Sequence, residues 1–171
     1  MADKEFIDSA LKAHNDYRKK HSAPPLKHNK EISAIAQKWA NELAKKDAFQ
    51  HSQDREYKGG KMGENIAMKW TSSGDDYTGP EPVSQWYDEV ERYNYSTGSG
   101  PSTGHFTQVV WVGSKEVGFG KAKSSSGKWL VVANYYPAGN FIGQYKENVL
   151  KPGTRSSSKK AGKSKKDCTI I

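Results

Sequence analysis

Cysteine is all but missing from this chain: its 171 residues include one, Cys168. That excludes an internal disulfide, and with it the stapled scaffolds on which small secreted domains rely. Long apolar runs are missing too. Nowhere do about 18 apolar residues follow one another, which is what a membrane-spanning helix requires. The opening, Met1-Ala2-Asp3-Lys4-Glu5-Phe6, lacks the apolar core of a secretory signal and leads directly into an amphipathic pattern. These absences predict a protein of a reducing compartment that is not secreted.

Net charge is nearly absent from most of the chain. The formal excess is +8, yet residues 1–150 carry 20 Lys and Arg against 18 Asp and Glu. Residues 151–171 carry seven basic side chains and one acid, Asp167. A nucleic-acid-binding domain would more often place such charge on its folded surface, so no nucleic-acid partner is expected. The length suits one domain with a real core, over residues 1–150. The Lys/Ser/Gly-rich remainder, 151–171, is expected to be a disordered polybasic tail.

Within the domain, Asp3 can cap a first helix over Lys4–Lys20, with Phe6, Ile7, Ala10, Leu11, His14 and Tyr17 on one face. Asn29 can cap a second, whose apolar positions Ile32, Ile35, Ala36, Trp39, Ala40 and Leu43 fit a period of about 3.6. It should end near Lys45-Lys46, where cations favour a helix C-terminus. Gly59-Gly60 marks a loop before a short helical segment over Glu64–Lys69. Residues 71–80 form another loop, and Pro80 and Pro82 suit the first turn of a helix running through Trp86, Val90 and Tyr93. Three strands follow, at 105–112, 115–122 and 129–136, the last two joined by a turn at Ser126-Gly127. Helices first and strands later predict an α+β layered domain.

Two stretches carry more information than the rest: Gly104-His105-Phe106-Thr107-Gln108-Val109-Val110-Trp111 and Tyr135-Tyr136-Pro137-Ala138-Gly139-Asn140. They resemble the two signature blocks of the CAP superfamily, which comprises cysteine-rich secretory, antigen 5 and plant pathogenesis-related proteins. His14-Asn15-Asp16-Tyr17-Arg18, His51-Ser52, Gly63-Glu64-Asn65-Ile66-Ala67 and Trp86-Tyr87-Asp88-Glu89 resemble its other landmarks, in the family's order. The resemblance spans roughly residues 5–150 and implies a three-layer α-β-α sandwich. With one cysteine, the chain departs from the disulfide-rich secreted members. It is more similar to the cytosol-facing, Golgi-associated branch.

In that family two histidines and two glutamates meet in a central cleft. Matched block by block, they are His51, Glu64, Glu89 and His105. Read without the resemblance, Glu64 and Glu89 suit exposed helix positions and His51 a solvated loop. With it, His51 and His105 become candidate zinc ligands, and Glu64 and Glu89 orienting partners or candidate catalytic carboxylates. Two protein ligands are fewer than hydrolytic zinc sites use, so affinity should be modest and should fall as protons compete for the imidazoles. The reading favoured is a binding domain. A zinc-dependent, peptidase-like hydrolase using the same four residues is the alternative. The family also makes a homodimer, a sterol or a fatty acid conceivable partners. Tyr77 is the one large apolar-bodied side chain in 71–81, however, which is little lining for a lipid tail.

The last four residues, Cys168-Thr169-Ile170-Ile171, fit the C-a-a-X pattern for prenylation. Lys159, Lys160, Lys163, Lys165 and Lys166 lie just upstream. One lipid chain anchors only marginally, while basic residues near an anionic leaflet add roughly 1 kcal/mol each. Ala2 stands where N-myristoylation would need glycine, so any anchor is expected at Cys168. The sequence therefore predicts a protein on the cytosolic face of Golgi, endomembrane or plasma membrane, with anionic lipids as partners.

Overall fold

The computed structural model describes residues 1–153. The first helix, α1, covers Lys4–Lys20, and the Asp3 carboxylate accepts the Phe6 N–H at 2.9 Å to cap it. A short strand β1 (Lys27–His28) leads to α2 (Lys30–Lys46), whose cap Asn29 accepts the N–H groups of Glu31 and Ile32. After a loop come a two-residue hairpin, β2 (Glu56–Tyr57) and β3 (Gly60–Lys61), and then β4 (Gly63–Lys69). The helix α3 (Pro80–Tyr87) tightens into a 3-10 turn over Asp88–Arg92. Then follow α4 (Gly104–Val109), β5 (Glu116–Lys123), β6 (Trp129–Tyr136) and α5 (Tyr145–Asn148).

The main sheet runs in the order β1-β5-β6-β4, with β1 parallel to β5 and the other pairs antiparallel. Helix α2 covers one face, where Ala36, Ala40 and Leu43 meet Ile66, Leu130 and Val132. It lies at backbone distance: a Cβ at Gly118 would sit 2.2 Å from the Ser33 nitrogen, and one at Gly120 2.4 Å from the Ala36 carbonyl carbon. The other face carries α1, α3 and α4, through Phe6, Trp86 and Phe106 against Phe119, Val131 and Tyr135. This is the α-β-α sandwich.

Two elements differ from their sequence reading. Residues 64–69 form β4 rather than a short helix, in full antiparallel register with β6 from Gly63↔Tyr135 to Lys69↔Trp129. Ile66 packs toward α2 and Ala67 toward α3, a period of two that seven residues with helix-favouring Ala, Met and Lys do not display clearly.

Residues 105–112 are not a strand; Gly104–Val109 is helical. Its β-branched and aromatic residues are overridden by side chains from elsewhere. At the N-terminal end the Glu89 carboxylate accepts the N–H groups of His105 (2.9 Å) and Phe106 (3.0 Å). At the other end the buried Arg18 guanidinium donates to the carbonyls of Val109 (3.0 Å) and Trp111 (2.8 Å). An anion at the start and a cation at the end suit a helix dipole.

Candidate functional site

His51 comes from the loop after α2, Glu64 from β4, Glu89 from the 3-10 turn after α3, and His105 from α4. The structure brings all four to one cleft of about 340 Å³, with Asn65, Ser102, Gly104 and Asn140 completing its lining. The glutamates are not exposed helix residues: their side chains are 0% (Glu64) and 15% (Glu89) accessible, while the imidazoles they hold are 51% and 38%.

The two halves of the site repeat one design. His51 Nδ1 lies 2.8 Å from Glu64 Oε1, which also accepts the Ser52 backbone N–H at 2.9 Å. The second oxygen of Glu64 accepts from Asn134 Nδ2 at 3.2 Å. His105 Nδ1 lies 2.8 Å from Glu89 Oε2, and the other Glu89 oxygen takes the backbone N–H groups that start α4. The Trp86 indole stacks nearly parallel to the His105 ring. A carboxylate at Nδ1 requires that nitrogen to donate, and in the neutral ring this leaves Nε2 with a lone pair. Neither Nε2 has a hydrogen-bond partner among the described residues.

Two other histidines show what this arrangement is not. His14 donates from Nδ1 to the Ala10 carbonyl (2.8 Å), and its Nε2 accepts the Tyr135 hydroxyl (2.6 Å). His21 does the same with the Leu150 carbonyl and the Tyr87 hydroxyl. Both rings are fully buried and both nitrogens are used, so they belong to the core. In His51 and His105 a carboxylate stands in place of the carbonyl, and the second nitrogen is left for the cleft.

Backbone around the cleft is tied together by the sequence motifs. Gln108 occupies the space a side chain at Gly63 or Gly139 would fill: an added Cβ would lie 1.9 and 2.8 Å from its amide. Gln108 Oε1 accepts the Gly139 N–H, and Asn140 holds α4 through the Gly104 carbonyl and the Thr107 hydroxyl. Asn65 donates to the His105 carbonyl at 3.1 Å. The three blocks therefore co-occur because they interlock.

Sequence reasoning passed over Asn65 and Asn134, although Asn134 is a polar residue inside an otherwise apolar strand. The sequence reading finds no strained Gly-x-Ser-x-Gly elbow, yet Ser102 stands at that spacing in Gly100-Pro101-Ser102-Thr103-Gly104 with a positive φ of 51°. Its hydroxyl bonds to neither imidazole among the described residues, so no nucleophile–base pair is formed. Cys168 and Lys159, Lys160, Lys163, Lys165 and Lys166 lie outside the described residues.

A profile of the cysteine-rich secretory protein family, CAP, matches residues 11–135. The chain belongs to the CAP family. Its CAP domain is 45% identical to human Golgi-associated plant pathogenesis-related protein 1, over 88% of this chain and 96% of that one. It is 36% identical to pathogenesis-related protein 1B of Nicotiana tabacum, over 78% of this chain and 76% of the relative. Among solved structures, venom allergen-like protein 4 of Schistosoma mansoni superposes with a TM-score of 0.66 at 22% identity, over 87% and 97% of the two chains. The crystal structure of NaASP2 with Zn2+ superposes with a TM-score of 0.67 at 22% identity, over 89% and 88%. At such identity the structural matches establish the CAP fold and nothing beyond it.

Proposed function

We propose that this CAP domain acts at cytosolic membrane surfaces as a binding module, with His51 and His105 able to hold a zinc ion in its cleft. The observation that carries the zinc reading is the shared tautomer: each imidazole is held at Nδ1 by a buried glutamate and keeps Nε2 free. That is the disposition of metal-ligating histidines backed by carboxylates. The donor set fits zinc loosely. No group of three or more His, Cys, Asp or Glu that could hold a metal occurs among the described residues, so two ring nitrogens would be the protein's share. A bound zinc would supply a Lewis acid for a carboxylate, phosphate or water at the open positions.

The carboxylates favour binding over hydrolysis. Glu64 accepts three hydrogen bonds and Glu89 accepts three. Each is engaged in fixing its imidazole and the neighbouring N–H groups, the part of an orienting partner.

Calorimetric titration of Zn2+ at pH 7.5 is expected to show one weak site, absent after His51→Ala/His105→Ala. Glu64→Gln or Glu89→Gln should weaken it about 10- to 100-fold, the usual cost of losing a partner of a liganding histidine. Binding that survives the double alanine substitution would rule out this site.

The membrane half of the proposal rests on the basic residues and Cys168, with a relative named as Golgi-associated as support. Prenylation at Cys168 and attraction of the lysines to an anionic leaflet are complementary, since one lipid alone holds weakly. In fractionated cells, Cys168→Ser should move the protein to the soluble fraction. Gln at Lys159, Lys160, Lys163, Lys165 and Lys166 should weaken attachment in part and in a salt-dependent way. An unchanged membrane fraction for Cys168→Ser would transfer the affinity to the folded domain.

A further inference from the structure

Beyond Tyr136 the chain leaves β6 and folds into a fixed turn. The Gln144 N–H donates to the Phe141 carbonyl at 3.0 Å, and Gly143 takes a φ of 86°, the left-handed value such a turn asks of its third residue. The turn is fastened on both sides. Before it, the Asn140 side chain holds the Gly104 carbonyl (2.9 Å) and the Thr107 hydroxyl (2.6 Å) of α4. After it, Tyr145 donates to the Asn140 carbonyl (3.3 Å) and sets its ring at right angles to Trp111.

What this turn presents is apolar. Phe141 is 47% exposed and Ile142 96%. Turn apices ordinarily carry Gly, Pro, Asn, Asp or Ser. Two consecutive large apolar side chains held in water by a fastened turn are not the scattered kind that needs no explanation.

The setting points to an anionic surface. The turn follows the end of the sandwich where β6 finishes and β5 begins, since the Lys115 N–H donates to the Tyr136 carbonyl at 2.9 Å. The C-terminus of α1 is at the same end, where Arg18 reaches the Val109, Trp111 and Ser114 carbonyls. Gly153, the last described residue, donates to the Lys20 carbonyl there at 3.2 Å. From that point the sequence continues with Arg155, Lys159, Lys160, Lys163, Lys165 and Lys166 against Asp167.

The folded surface adds to this charge. Lys19, Lys20, Lys115 and Lys146 are exposed, and none pairs with a carboxylate among the described residues. The acids next to them in sequence are Glu116, whose carboxylate accepts the Asn29 amide, and Glu147. Met68 and Trp70, also exposed and apolar, lie at the opposite end of the sheet. There Lys69 pairs with Glu81 and Lys128 with Asp47.

We propose that the Phe141-Ile142 turn enters the interfacial layer of an anionic bilayer, with Lys19, Lys20, Lys115 and Lys146 facing the headgroups around it. The inference rests on the membrane reading above and adds the face by which the folded domain meets lipid. The two parts act differently: the lysines attract through a field that salt screens, and the apolar tip contributes on contact. Because the turn is fastened before it meets lipid, insertion carries little ordering cost.

The test uses the full chain without a prenyl group, cosedimented with phosphatidylcholine vesicles containing about one-third phosphatidylserine. Phe141→Ser/Ile142→Ser, at exposed positions, should weaken binding about tenfold, keep its salt dependence and leave the thermal midpoint unchanged. Trp70→Ser should bind as the unaltered chain does. An environment-sensitive dye on Ile142→Cys, in a Cys168→Ser background, should shift to the blue with these vesicles, and the same dye on Trp70→Cys should not. Equal binding of the tip variant, an unshifted dye at position 142, or an equal loss for Trp70→Ser would each overturn the proposal; if the unaltered chain still binds, the membrane reading stands without it. No binding by the unaltered chain would remove the tip contact and the lysine attraction together, leaving only the anchor that the Cys168→Ser fractionation tests. A dimer in solution that the tip variant abolishes would assign the turn to a second copy of the chain and overturn the proposal likewise.

Discussion

Arg18→Met is expected to lower the unfolding free energy by about 4 kcal/mol or more, a loss reserved for breaking a buried polar network. The guanidinium is fully buried and meets no carboxylate. Its donors go to the carbonyls of Pro24 (2.7 Å), Val109 (3.0 Å), Trp111 (2.8 Å) and Ser114 (3.0 Å). Burial pushes its pKa down to about 10, so it stays charged at neutral pH. Carbonyl dipoles at the end of α4 compensate the charge.

Methionine matches the stem but leaves those carbonyls behind. Trp111 keeps the Ser114 N–H; the carbonyls of Pro24, Val109 and Ser114 have no backbone donor in the turns and loops of the described residues. Val109 and Ser114 are buried whereas Pro24 is exposed, and at about 1–3 kcal/mol for each buried orphan these two exceed what is regained by no longer burying a charge. Arg18→Lys keeps the charge without the planar fork and should lose roughly half as much. Urea denaturation measures both. A loss under about 1 kcal/mol for Arg18→Met would mean that α4 is held by its packing alone. Because α4 carries His105, Arg18→Lys should also weaken zinc binding while the protein is still folded.

Acid should destabilise this domain earlier than carboxylate titration would. Burial pushes the His14 pKa from 6.5 down to about 4, against a smaller rise from its bond to Ala10. Burial lowers that of His21 as well. Folded, these rings stay neutral; unfolded, they protonate near pH 6.5. Above that pH both states are neutral and stability does not depend on them. Between 6.5 and 4 the unfolded chain takes up protons that the folded one refuses, so stability falls, by about 3 kcal/mol for His14 alone. Asp76 and Glu81, whose pKa values are lowered from 3.8 and 4.5, lose their contribution in a lower window.

His14→Asn should therefore be less stable at neutral pH yet show a shallower loss from pH 7 to 4.5. Denaturation midpoints across that range give the slopes. Parallel slopes for the two proteins would contradict a neutral buried His14.

What the sequence made legible follows the range of the interactions. Helices α1 and α2 were read with their caps and close to their bounds, because Asp3 and Asn29 sit next to what they cap and the apolar period runs the full length of each. Strand β4 and helix α4 were misread because their conformations are decided at a distance. Strand β4 depends on pairing with β6 across some 70 residues, and α4 on Glu89 and Arg18 at its two ends. The four cleft residues were named through the family resemblance. Their pairing as His51–Glu64 and His105–Glu89, 13 and 16 residues apart, is not at any helical or strand spacing, so the residues alone could not announce it. Glu64 was read as a surface residue for the same reason: what it meets is the His51-Ser52 loop and Asn134 of β6, not its neighbours in sequence.

The metal site depends on the tautomers of His51 and His105, and nitrogen-15 NMR of the imidazole rings at pH 7.5 reads them directly. Both rings are predicted to carry their proton on Nδ1, bonded to Glu64 and Glu89, with Nε2 giving the signal of an unprotonated nitrogen; Zn2+ should then move Nε2 and leave Nδ1 in place. A proton on Nε2 of either ring, or rapid exchange between the two forms, would contradict the arrangement on which the metal site depends.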